Sequence, residues 1–97
     1  MVTGKTKTGF EYSIDERVTK SYRYVRALAK LNKGDSAEKF IAFDQISTLM
    51  LGDKVDDLIT HVETLHDGYA PIGAIGAEVT EIIGALTPKN SISSQES

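Results

Sequence analysis

The sequence has no cysteine, no tryptophan and only two prolines. Without cysteine there is no disulfide and no thiolate metal ligand, so packing and hydrogen bonding alone must hold the fold, and a reducing compartment is acceptable. No stretch approaches the roughly 18 apolar residues of a membrane span. Residues 1–9 lack the apolar stretch of a signal peptide, so the chain is expected to stay where it is made, with no membrane partner. Positive charge is also scarce: 11 Lys and Arg stand against 14 Asp and Glu, for a formal net charge of -3. A nucleic-acid footprint calls for clustered Lys and Arg, and the short basic segment Lys5, Lys7 is too small to supply one. No nucleic acid is expected as a partner.

What is present is ordinary globular material, with 40% hydrophobic and 26% charged residues in 97 positions. That is too apolar for wholesale disorder and too short for more than one domain. A chain of this size buries only about 60 to 65% of the surface its unfolded form exposes. Its stability is therefore expected to be marginal or shared with a partner.

The pattern predicts a mainly α protein: a small bundle of about four helices over residues 10–86, preceded by a flexible arm at 1–9 and followed by a disordered tail at 87–97. The arm is polar and rich in Thr, Lys and Gly, and ends at Gly9. Phe10, Tyr12 and Ile14 then alternate with Glu11 and Ser13, the period of a short strand with one buried face. No second strand is evident. A lone strand leaves N–H and C=O groups unpaired, so this one must pair with the arm or with another chain, or serve as an extended lead-in over the helices.

Spacings of three and four at Val18, Tyr22, Val25, Leu28 and Ala29 predict a first helix over 15–33, with a Ser13/Glu16 capping box and a stop at Gly34. Asp35 or Ser36 caps a second helix whose inner stripe is Phe40, Phe43, Ile46, Leu49 and Met50, ending at Gly52. Asp53 caps a third, with Val55, Leu58, Ile59, Val62 and Leu65 on one face. Asp67-Gly68 ends it, and Pro71 suits the first turn of a fourth helix. There Ile72, Ile75, Val79, Ile82 and Ile83 recur at three-four spacing, which serves either a core or a seam between chains. Gly73, Gly76 and Gly84 cost this helix about 0.5 to 1 kcal/mol each against Ala. Close approach of another helix would offset that; small residues on a solvent face are the commoner explanation.

Catalytic and cofactor motifs are missing. Gly4-Lys5-Thr6 echoes the end of a phosphate-binding loop, but the first glycine of that loop would precede residue 1. His61 and His66 are five apart, do not stack on one helical face, and have no third ligand, so they are expected to be solvated and to hold no metal. Asp53, Asp56 and Asp57 lack the Gly and bidentate Glu of a calcium loop and suit a helix N-terminus instead. No nucleophile, base and carboxylate set is readable, so the protein is expected not to be an enzyme and to need no cofactor.

Four segments, taken in order, carry a resemblance: Thr8-Gly9-Phe10-Glu11-Tyr12-Ser13-Ile14-Asp15, Leu31-Asn32-Lys33-Gly34, Leu49-Met50-Leu51-Gly52-Asp53 and Asp67-Gly68-Tyr69-Ala70-Pro71-Ile72, with Lys89-Asn90-Ser91 in the tail. Over residues 8–91 the chain resembles the tail assembly chaperones of long-tailed bacteriophages. The resemblance implies a protein of the infected host's cytoplasm, absent from the mature virion. It would bind the tape-measure protein, keep it soluble and help recruit tail-tube subunits. It would be the short form of a frameshifted pair, contact with the tail-tube protein falling mainly to the longer form. Pro88-Lys89-Asn90 suits a slippery run, since Lys and Asn codons both begin with two adenines. Assembly on a long repetitive client also favours self-association. The alternative is a small helical DNA-binding regulator, against which the acidic third helix speaks.

No site residue follows from the resemblance. The residues themselves offer two partner-binding surfaces: the Phe10, Tyr12, Ile14 edge, by strand pairing, and the Ile72, Ile75, Val79, Ile82 stripe, by helix packing, with ordinary core as the competing assignment of the stripe.

Overall fold

The structure, a computed structural model, describes residues 1–86; the tail expected to be disordered and the Pro88-Lys89-Asn90 segment lie outside them. Strands β1 (Val2–Lys5) and β2 (Glu11–Ile14) precede helices α1 (Tyr22–Lys33), α2 (Ser36–Leu51), α3 (Val55–Leu65) and α4 (Ile72–Leu86), with single 3-10 segments at Glu16–Lys20 and Gly52–Lys54. The expected class, a small helical bundle with a short N-terminal extended segment, is the one observed.

The arm is not free. β1 pairs antiparallel with β2, Val2 opposite Ile14 and Lys5 opposite Glu11. The Gly9 N–H donates to the Thr6 carbonyl at 2.9 Å and the Thr6 N–H to the Phe10 carbonyl at 2.9 Å, closing a three-residue hairpin loop with Gly9 at φ 103. That loop type requires a residue of positive φ at its third position, which glycine adopts at no steric cost. The arm escaped the period-two search because its inward positions are Val2, Gly4 and Thr6, and only one of them is a large apolar residue. Gly4 is in fact matched to its partner: a Cβ there would stand 2.5 Å from the Tyr12 hydroxyl.

The first helix is shorter than expected. Asp15, not Ser13, caps the 3-10 turn by accepting from the Arg17 N–H, and Ser21 in extended conformation separates that turn from α1. The buried face of α1 is also rotated from the expected stripe: Tyr24 and Ala27 are buried while Tyr22 and Val25 are exposed. Break and rotation go together, because ending the 3-10 turn at Lys20 frees α1 to turn its Tyr24, Ala27 and Leu31 positions to the core.

Asp35 caps α2 in a reciprocal box with Glu38, at 2.9 and 3.1 Å. Gly34 sits there because nothing larger fits: an added Cβ would lie 2.7 Å from the Glu38 Cβ and 2.8 Å from the Lys30 carbonyl. α2 stops at Gly52, φ 56, as expected. Asp53 lies inside the following 3-10 turn and caps nothing; α3 begins after Lys54 without a side-chain cap.

The core gathers Phe10, Tyr12 and Ile14 from the hairpin, Tyr24 and Ala27 from α1, Ala42, Ile46 and Met50 from α2, Leu58 and Val62 from α3, and Val79 and Ile82 from α4. No described helix is long and apolar enough to cross a membrane.

Candidate partner-binding groove

The seven residues singled out from the sequence divide between core and surface. Phe10, Tyr12 and Ile14 are buried, so their side chains belong to the core, and β2 pairs along one edge with β1 of the same chain. Val79 and Ile82 are fully buried, which makes the inner half of the α4 stripe core. Ile75 is half-buried and Ile72 is 71% exposed. The two ends of one stripe thus do different things: burial rises along α4 from Ile72 in its first turn to Val79 and Ile82.

Ile72 and Ile75 do not stand alone. They close one end of a groove of about 230 Å³ whose walls are Phe40, Phe43 and Ser47 of α2 and Val55, Leu58 and Ile59 of α3, with Ala70 beside them. Asp44 is the single charged residue of the lining. Of its lining residues Phe40 is 55% exposed and Ile72 more so, and both adjoin the buried Leu58. Scattered exposed apolar residues need no explanation, whereas a contiguous set at a concavity marks a contact surface.

Sequence reasoning assigned Phe40, Phe43, Val55 and Ile59 to inner stripes and so missed this groove. The signal was present in α2. Its apolar residues run round the helix, with Ile41 on the side away from the Ala42, Ile46, Met50 face, and residues 35–41 are exposed throughout. A helix with apolar residues on all sides is normally buried on all sides; α2 within this chain is covered on one.

A polar cluster ties the hairpin to the other end of the bundle. The Thr8 hydroxyl donates to Glu78 Oε2 at 2.7 Å and lies 2.9 Å from His61 Nε2. One hydroxyl has one proton, so Thr8 accepts from His61, whose Nε2 must hold the hydrogen. Glu78 is only 5% exposed, and its Oε1 has no hydrogen-bond partner among the described residues. His61 is therefore not solvated as expected: it is half-buried, its ring 5.6 Å from that of Phe10. His66 is exposed. The Lys7 N–H donates to Glu81 Oε2 at 3.0 Å, a second link from loop to α4. The cluster lies within the fold between hairpin loop, α3 and α4, and its work is to seat the hairpin.

Comparison with protein-family models, with curated proteins and with solved structures finds no match to this chain.

Proposed function

We propose that this chain is a tail assembly chaperone of the long-tailed phage type. It binds the tape-measure protein in the host cytoplasm, keeps it soluble, helps recruit tail-tube subunits, and is itself absent from the finished virion. The observation that carries this reading is the apolar groove between α2, α3 and α4, taken with the ordered segments that resemble such chaperones.

The groove fits a helix better than a small molecule. Its volume, about 230 Å³, falls below the roughly 300 to 1,000 Å³ of small-molecule pockets. Its lining includes exposed Phe40 and Ile72, apolar contacts of the kind against which an amphipathic helix lays anchors at i, i+3 or i+4 and i+7. A tape-measure protein, long and helical with an apolar surface, offers such anchors repeatedly, and many weak sites on one polymer add through effective concentration. Acidic groups rim the groove: Asp44 lines it, and helical spacing sets Asp56 and Glu63 on the outer flank of the Val55, Ile59 face. The client helix is then one whose apolar seam is bordered by Lys or Arg.

The test is co-expression with the neighbouring tape-measure-like reading frame, followed by pull-down. A soluble complex is expected with the native chain and is lost in the Phe40→Asp, Ile72→Asp double variant, which keeps its helical circular dichroism. A native chain that leaves the tape-measure protein insoluble overturns the reading. The frameshifted longer form is tested in the gene: a slippery run at the Pro88-Lys89-Asn90 codons with an overlapping downstream frame is expected.

A further inference from the structure

The net charge of -3 conceals a separation of charge along the chain. Between Arg17 and Gly34 stand Lys20, Arg23, Arg26, Lys30 and Lys33 with no Asp or Glu among them. From Asp35 to Leu86 the only basic residues are Lys39 and Lys54, against a run that includes Asp44, Asp53, Asp56, Asp57 and Glu63.

The fold turns this into surfaces. Arg23, Arg26, Lys30 and Lys33 are all exposed and follow spacings of three and four, so they form one outward face of α1, about a third of a turn from the Tyr24, Ala27, Leu31 face. Tyr22, 74% exposed, and Val25, 53% exposed, belong to the same side, and the Arg26 guanidinium stands 5.3 Å from the Tyr22 ring. Among the described residues the ion pairs are Lys5 with Glu11 and Arg17 with Asp15; none involves this face. Asp44 shares a cleft with Arg23 and Arg26 and still forms no ion pair with either. Like charges at these spacings destabilise a helix unless an acidic surface answers them.

We infer that the Arg23–Lys33 face of α1 docks on the acidic α3 surface of a second copy of this chain, head to tail. The complement is on the same molecule: Asp53 in the preceding 3-10 turn and Asp56 and Asp57 at the start of α3 are exposed, and Glu63 is half-buried further along. On α1 the basic set runs from Arg23 to Lys33, ten helical steps or about 15 Å, and on α3 the acidic set from Asp56 to Glu63 runs seven, about 10 Å, with Asp53 adding to it from the preceding turn. Tyr22 and Val25, at the border of this face, supply the apolar contact that a purely ionic one lacks. The two faces belong to different helices, so a copy engaged through its α1 keeps its α3 free. Such a heterologous contact propagates into a ring or an open filament rather than stopping at a symmetric pair. Asp56 and Glu63 also flank the client groove, so a copy docked on α3 competes with the client for that side; sedimentation of the chain alone, with no client present, tests the inference apart from the proposed client.

The experiment is sedimentation of the full chain, alone, across a salt series. Association is expected near 0.01 M salt and should weaken at least about tenfold by about 1 M, as the screening length falls from roughly 30 to 3 Å. Arg23→Glu with Arg26→Glu should abolish it, and so should Asp56→Lys with Asp57→Lys. An equimolar mixture of the two charge-reversed chains should associate again, which no loss of folding could mimic. Should either reversed chain lose its circular dichroism signal, Arg26→Gln with Lys30→Gln takes its place and is expected to weaken association at least about tenfold. A native chain that is monomeric at low salt, association indifferent to salt, or variants that associate like the native chain would each overturn the proposal.

Discussion

Thr8 holds more of this structure than a loop threonine ordinarily does. Its hydroxyl is the hydrogen-bond donor to the buried Glu78 carboxylate, so Thr8→Val leaves that carboxylate bare and should cost about 1 to 3 kcal/mol in denaturant unfolding. Thr8→Ser keeps the donor and should restore most of the loss. Asp15 gives a pH signature. Hydrogen bonds from the Arg17 side chain, the shortest 2.6 Å, and from its N–H hold the carboxyl down from 3.8 to about 2. A folded-state value depressed in this way means a stabilising contribution that is complete above the unfolded value of 3.8 and lost as pH falls toward 2. The pair is exposed, so the effect is read locally: a carboxyl NMR titration should place Asp15 near 2, and Arg17→Ala should raise it only part of the way back, because the N–H of residue 17 still donates. Neither Thr8 nor Asp15 stood out in the sequence as a contact-maker, since a hydroxyl and a carboxylate become specific only through the partners that folding brings to them.

At the scale of the element, the α1–α2 junction and α4 make opposite predictions for glycine. Gly34 is packed against the Glu38 Cβ and the Lys30 carbonyl, so Gly34→Ala should overpack the turn and cost about 1 to 3 kcal/mol. Asp35→Ala, which removes the neighbouring cap, should cost about 0.5 to 2 kcal/mol, both read as shifts in thermal midpoint. Gly76 and Gly84 face open space within α4, with nothing within 4 Å of an added Cβ. Among the described residues no helix approaches them, so Gly76→Ala and Gly84→Ala should each stabilise by about 0.5 to 1 kcal/mol. Helix stops at Gly34, Gly52 and Asp67-Gly68 were legible in the sequence because local chemistry writes them. The break at Ser21 was not, because Ser21 is a permissible helical residue and the break follows from how the hairpin meets the bundle.

For the molecule as a whole, the question is which apolar residues hold it together and which remain for others. Ile82, fully buried, should cost about 2 to 5 kcal/mol when cut to Ala, whereas Ile72→Ala should stay within about 0.5 kcal/mol while weakening client capture. Denaturant midpoints beside pull-down yields would separate the two ends of the α4 stripe. The bundle is long and thin for its size, 44 × 30 × 24 Å with a radius of gyration of 13.7 Å, against about 12 to 13 Å for a compact chain of this length. α2 packs against α1, β2 and α3 while its first turns, residues 36–41, stay exposed beside the groove residue Phe43.

The sequence by itself determined the helical class, the order of the four helices and most of their ends, because three-four periodicity and capping chemistry act within a few residues. It also contained the separation of charge, visible as a basic stretch before Gly34 and an acidic one after it. Tertiary structure alone decided which stripe residues are core and which are surface. Periodicity sets the relative angle of side chains around one helix, not the direction from which neighbours cover it, so Tyr24 replaced Tyr22 inside and Ile72 parted from Ile82. It also decided the fate of the first nine residues: a polar arm becomes a strand when β2 offers it a backbone partner and Glu78, Glu81 and His61 hold its loop.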